Sequence, residues 1–187
     1  MNRFVSPTIL LSLFLITTAS SFANDNQVSA SRNAVKMLGG ELKKELLTSI
    51  KEGGHINAIP VCSQKAPQIA ERVSKENNLK ISRKSLRYRN PLNAPDLWEE
   101  QTLLIFEERK QKGEDINSME HSEQINRGKE KVFRYMKAIP VGEPCLACHG
   151  DQVNDDIKAK LEELYPEDRT TGFAVGDIIG AFSVTQE

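Results

Sequence analysis

The residues with chemistry in their spacing are Cys145-Leu146-Ala147-Cys148-His149. Two thiols stand three positions apart, and an imidazole follows the second directly. This is the C-x-x-C-H pattern of c-type haem attachment. At that spacing the thiols reach the two vinyl groups on one side of a haem and close two thioethers. The next imidazole then turns under the iron as its proximal ligand. Pro144 sets the approach and Gly150 frees the exit. A bare C-x-x-C also suits half a zinc site, a thioredoxin-like redox pair or a structural disulfide. No second C-x-x-C or paired histidine follows, the βαβ setting of a redox pair is missing, and the histidine lies outside the pair. The expectation is one haem c, held covalently by Cys145 and Cys148, with His149 on the iron.

The chain has 3 cysteines, so the thioethers leave Cys62 alone. An unpaired cysteine in an exported chain is a feature to explain. As a buried thiol it packs as a small hydrophobe; as a thiolate it ligates iron. The other donors able to complete the iron's coordination are His55, His121, Met119 and Met136. His55 follows a Gly-Gly pair and reads as a solvated loop residue. His121 sits in a polar stretch, and the methionines read as core. From the residues alone the second axial ligand stays open.

The N-terminus, Met1-Asn2-Arg3, leads into an apolar run from Phe4 to Thr18 and then Ala19-Ser20-Ser21-Phe22-Ala23. A charged start, an apolar middle and small residues at Ser21 and Ala23 make residues 1–23 a secretory signal cut near Ala23. The run is shorter than the roughly 20 residues that span a bilayer. The expectations are a periplasmic protein, no membrane anchor after cleavage and a single domain over residues 24–187. A c-type maturation machinery then attaches the haem after export. The formal net charge of −1 over 187 residues argues against nucleic acid as a partner.

Several elements must position the motif. Val28, Val35, Leu38, Leu42, Leu46 and Ile50 recur at helical spacing over 28–51, with Gly39-Gly40 weakening the middle and Gly53-Gly54 ending the helix. A helix over 56–76 is expected to break or restart near Pro60 and Pro67. Residues 79–89 alternate partly and read as a strand. A turn-rich loop over 90–95 leads to a helix from Asp96 to about Lys112, with Trp98 near its start. Two strands between Ile116 and Val141 turn at Gly128. A short acidic helix over 154–164, a loop rich in Thr and Gly, and a last strand over 178–184 complete the chain. The fold class predicted is α+β, an antiparallel sheet flanked by helices. On the 79–89 strand, alternation would put Arg83, Arg87 and Arg89 on one face. There they are candidate haem-propionate contacts, since guanidinium suits planar carboxylates; the alternative is a basic, solvated face.

Four stretches together resemble a family of exported, single-haem c-type proteins with a PAS-like fold, catalogued as a domain of unknown function. They are Ala58-Ile59-Pro60-Val61-Cys62 with Ala66-Pro67-Gln68-Ile69-Ala70; Arg83 with Arg87-Tyr88-Arg89-Asn90-Pro91-Leu92-Asn93-Ala94-Pro95-Asp96-Leu97-Trp98-Glu99; Cys145 to Gly150; and Gly176 to Val184. The family occurs alone and as the sensing module of bacterial signalling proteins. The resemblance implies an N-terminal helix, haem attached in the C-terminal third, and an axial pair made by His149 and Cys62. One departure is Ile179, where the family pattern has arginine.

A His/thiolate pair favours ferric iron and a low potential, whereas methionine raises it. Release of the thiol on reduction would open a site for NO or CO, a switch with two states. The reading is a redox or small-gas sensing module acting with a signalling or redox partner protein. The alternative is a low-potential periplasmic electron-transfer cytochrome. A haem enzyme such as a peroxidase needs an open iron position and a distal acid–base group, so no enzymatic activity is expected.

Overall fold

The structure is a computed structural model that describes residues 19–187, with side chains from Asn24 onward. The expected signal peptide lies outside these residues, apart from the main chain of its last few. Helix α1 spans Ala19–Pro60. It does not end at Gly53-Gly54 as the sequence suggests; it breaks there and resumes. Gly54 has φ 75°, a left-handed conformation open to glycine. Asn57 Nδ2 donates to Ser49 O at 3.2 Å, satisfying a carbonyl near the break.

A π-turn at Val61–Lys65 joins α1 to α2, Ala66–Asn77. Strand β1, Lys80–Lys84, follows. Helix α3, Leu97–Gln111, starts at Asp96, whose carboxylate accepts from Glu99 N while Glu99 accepts from Asp96 N. Strands β2, Glu120–Arg127, and β3, Glu130–Pro140, turn at Gly128, as expected. The motif forms a one-turn helix α4, Leu146–His149, followed by α5, Asp155–Leu164, and strand β4, Ile178–Gln186. The sheet is antiparallel throughout, in the order β1-β4-β3-β2.

The expected strand over 79–89 is cut short at Lys84. The cause is Ser85, whose Oγ donates to Ile179 O at 2.6 Å and accepts from Arg87 N at 3.2 Å. The chain turns there instead of extending along β4. Gly180 permits the approach, because a Cβ built on it would lie 2.3 Å from Lys84 O.

Helices α1 and α2 cover one sheet face. Ala34, Val35, Leu38 and Val73 bury Ile81, Phe133, Tyr135 and Val184. Gly39, a weak point for helix propensity, is a packing residue: a Cβ there would sit 3.1 Å from Phe182 Cζ. Helix α3 covers the other face, with Leu103 and Phe106 on Met136, Ala138 and Ala181. A third cluster stands beyond the sheet: Ile59 meets Val153, Ile157, Leu161 and Tyr165, and Cys148 packs against it. That cluster ties the end of α1 to the motif and α5. The α+β class, the antiparallel sheet and the long N-terminal helix agree with expectation. Among the described residues no helix is long and apolar enough to cross a membrane.

Candidate functional site

The motif is built by a 3-10 turn, Glu143–Cys145, running into α4. Cys145 N donates to Gly142 O and Gly150 N donates to Leu146 O, each at 2.9 Å. On this turn Cys145 and Cys148 are three apart and share a side. Both thiols are free, as is that of Cys62. Gly150 is needed at the exit, since a Cβ would meet Leu146 O at 2.7 Å.

His149 Nδ1 lies 2.9 Å from Thr170 O. A carbonyl only accepts, so Nδ1 carries the proton and Nε2 presents a lone pair. Burial lowers the His149 pKa to about 4, helped by Arg89 and opposed by the Thr170 bond and Asp168. The imidazole is therefore neutral near pH 7. Phe173 N and Gly172 N donate to His149 O and Gly150 O at 2.9 Å, clamping the motif to the loop 165–177. Two unbonded thiols on one turn, beside a neutral imidazole oriented through its other nitrogen, are the donor set that c-type haem requires. A bare metal fits less well: among the described residues no three His, Cys, Asp or Glu side chains gather as a metal site.

Cys62 sits in the π-turn, half-buried. Pro67 has no N–H for the carbonyl of Ser63, and the turn before it widens so that Ala66 N–H reaches Val61 O. Such π-turns recur at functional sites. Burial raises the Cys148 pKa, Arg89 opposes this, and the Cys62 and Cys145 thiols add to the rise. Cys62 also bears on the Tyr165 phenol, which burial pushes up. Ile59, three residues before Cys62, packs in one cluster with Cys148, so the turn carrying Cys62 follows directly from a contact with the motif.

The three arginines do not share a strand face. Arg83 alone lies on β1, on the face of Ile81, and its charge reaches His149 and Tyr165. Arg87 lies in the turn after Ser85 and stacks its guanidinium 3.7 Å from the Phe173 ring centroid. Arg89 is buried and bound to Asp168. Ile179 lines a groove between α3 and the 85–87 turn, with Arg87 and Phe173.

Of the other donors, Met119 and Met136 are fully buried in the α3-side core. His121 pairs with Met136 and its ring lies 5.7 Å from that of Trp98, on the α3 face of the sheet. His55 is helical and half-buried, not a loop residue; it lines a groove of about 400 Å³ with Ala147, Asp156 and Ile157. Thr170, Asp168 and Tyr165 were not singled out in the sequence. An Asp168-Arg169-Thr170 turn was the only local signal: Asp168 Oδ1 accepts from Thr170 N at 2.8 Å.

A family model described as Tll0287-like matches residues 13–186. Among solved structures the chain is similar to the cyanobacterial heme-protein Tll0287, at 27% sequence identity and a TM-score of 0.61, over 88% of this chain and 94% of that one. No curated protein matches.

Proposed function

The chain belongs to the Tll0287-like family, and from that membership we propose that it is an exported, periplasmic protein carrying one covalent haem c and working as a redox or small-gas sensing module. Cys145 and Cys148 hold the group by thioethers. His149 Nε2 and the Cys62 thiolate would hold its iron, and Arg83, whose charge reaches His149, would pair with a propionate. The haem supplies one-electron redox chemistry and a gas-binding iron. The protein supplies a fixed ligand and a movable one. His149 is fixed, held by Thr170 O at 2.9 Å. Cys62, on a π-turn between two helices, would be the ligand that leaves.

The observation that carries the reading is the packing of Ile59 with Cys148, which sets the turn bearing a third thiol, Cys62, beside the helix end that meets the C-x-x-C-H motif. An electron carrier is best served by two rigid ligands; a thiolate that takes up a proton and withdraws serves a switch. A maturation machinery and a signalling or redox partner complete the reading, and no enzymatic step is assigned. The test is CO addition to the ferric and the dithionite-reduced protein. The reading predicts no binding to the ferric form, binding to the reduced form, and return of the starting spectrum on reoxidation. A reduced form that stays low-spin and refuses CO would favour an electron carrier.

A further inference from the structure

Behind the motif, on the side of His149 away from Nε2, lies an ion pair with no assigned role. Arg89 is 9% exposed. Its Nε donates to Asp168 Oδ2 at 2.8 Å. Its Nη2 donates to Cys148 O at 2.7 Å and to Thr170 O at 3.4 Å. That Thr170 oxygen is the one that accepts from His149 Nδ1. Asp168 in turn accepts from Thr170 N. One carbonyl oxygen is therefore shared by an imidazole N–H and a guanidinium, and one carboxylate holds both the guanidinium and the same loop residue.

We propose that Arg89 and Asp168 are a charge couple that sets the electron affinity of the iron held by His149. Arg89 raises the potential and Asp168 lowers it. The inference rests on His149 being the haem ligand. The guanidinium draws electron density from Thr170 O, so the oxygen pulls less on the Nδ1 proton and the imidazole donates less to iron. Its full positive charge, away from bulk water, also favours the ferrous over the ferric state. Asp168 acts in the opposite sense on both counts. Both are positioning residues acting through Thr170 and His149. This differs from the propionate role expected of Arg89, whose guanidinium is already engaged by Asp168 and two carbonyls.

A merely structural clamp would make loss of either partner disturb the motif in the same way. A charge couple makes the two losses opposite. The experiment is an equilibrium redox titration of the haem-loaded protein with dithionite as reductant, the iron taking up one electron. It is run at one fixed pH and ionic strength for every variant. Wild type is compared with Arg89→Met, Asp168→Asn, the double variant and Arg89→Lys. The expected result is a negative shift for Arg89→Met, a positive shift for Asp168→Asn and a double variant close to wild type. Arg89→Lys should keep the potential near wild type while unfolding at lower temperature, because it keeps the charge and loses the fork. If Arg89→Met fails to fold, Asp168→Asn and Arg89→Lys still decide. A negative or absent shift in Asp168→Asn, or shifts of one sign in both single variants, would overturn the couple while leaving the haem reading intact. A wild-type protein with no covalent haem would overturn both.

Discussion

His149 Nδ1 donates to the carbonyl oxygen of Thr170 at 2.9 Å, across a separation of 21 residues. The bond fixes the tautomer and the ring plane before any ligand is added, leaving Nε2 as the free donor. Ligating histidines are commonly oriented in this way through their other nitrogen. His149→Gly should keep the thioether-bound haem on Cys145 and Cys148, lose the low-spin absorption spectrum, and recover it when imidazole is added. A variant unchanged before imidazole would remove His149 from the iron.

The α3 face of the sheet carries a buried ion cluster of another kind. Arg134 Nη2 lies 3.0 Å from Glu99 Oε1, and Nη1 donates to Asp96 at 2.7 Å. Ser183 Oγ donates to Glu99 at 2.7 Å. Arg134 Nε is buried with no partner among the described residues. Glu99→Ala leaves Arg134 with only the half-exposed Asp96 carboxylate, unpairs Ser183 Oγ and breaks the capping box of α3. It should cost about 3–5 kcal/mol, read as a fall in thermal or denaturant midpoint. The haem spectrum should not move, because the cluster lies on the opposite sheet face from Arg83 and shares no residue with the motif.

Glu120 accepts from Arg32 and, at 2.7 Å, from Tyr135 Oη. The Arg32 bond holds its carboxyl below the usual range, while burial and Glu120 push the Tyr135 phenol up. A carboxylate with a depressed folded pKa stabilises above its unfolded value of about 4.3, and that stability is lost as pH falls further. A phenol with a raised folded pKa stabilises below about 10, and the contribution is lost as pH rises beyond it. Glu120→Gln should flatten the acid limb of a stability–pH curve, and Tyr135→Phe the alkaline limb. Each bond is worth about 1–2 kcal/mol. Equal slopes in variant and wild type would contradict this.

Gly54 sets where α1 restarts before Cys62. A Cβ there meets nothing within 4 Å, so only its φ of 75° resists substitution. Gly54→Ala should cost about 1–2 kcal/mol and raise the high-spin fraction of the ferric protein, as the turn bearing Cys62 loses its aim. A stable variant with an unchanged spectrum would show that the break does not position the ligand.

How much of this was legible in the sequence follows from range. The C-x-x-C-H motif is local, and so are the amphipathic periods of α1 and α5, the Asp96 start of α3 and the Gly128 turn. The errors arose where distant atoms decide. Strand β1 stops at Lys84 because Ser85 bonds Ile179, on β4. The glycine pair at 53–54 ends many helices, but here Asn57 bridges the break and helix resumes. Arg89 read as a candidate propionate contact, or part of a solvated basic face, because Asp168, its partner, lies in a loop without periodicity. Thr170 orients His149 through a main-chain oxygen, which every residue owns, so side-chain type held no clue.

His149 and Cys62 are proposed to flank one covalent haem. The most direct test is the low-temperature EPR spectrum of the ferric protein beside Cys62→Ser. The wild type should give a low-spin thiolate signal that the variant loses, with the haem still covalently bound in both. Identical spectra would contradict Cys62 as ligand, and haem that separates from the chain on unfolding would contradict the attachment itself.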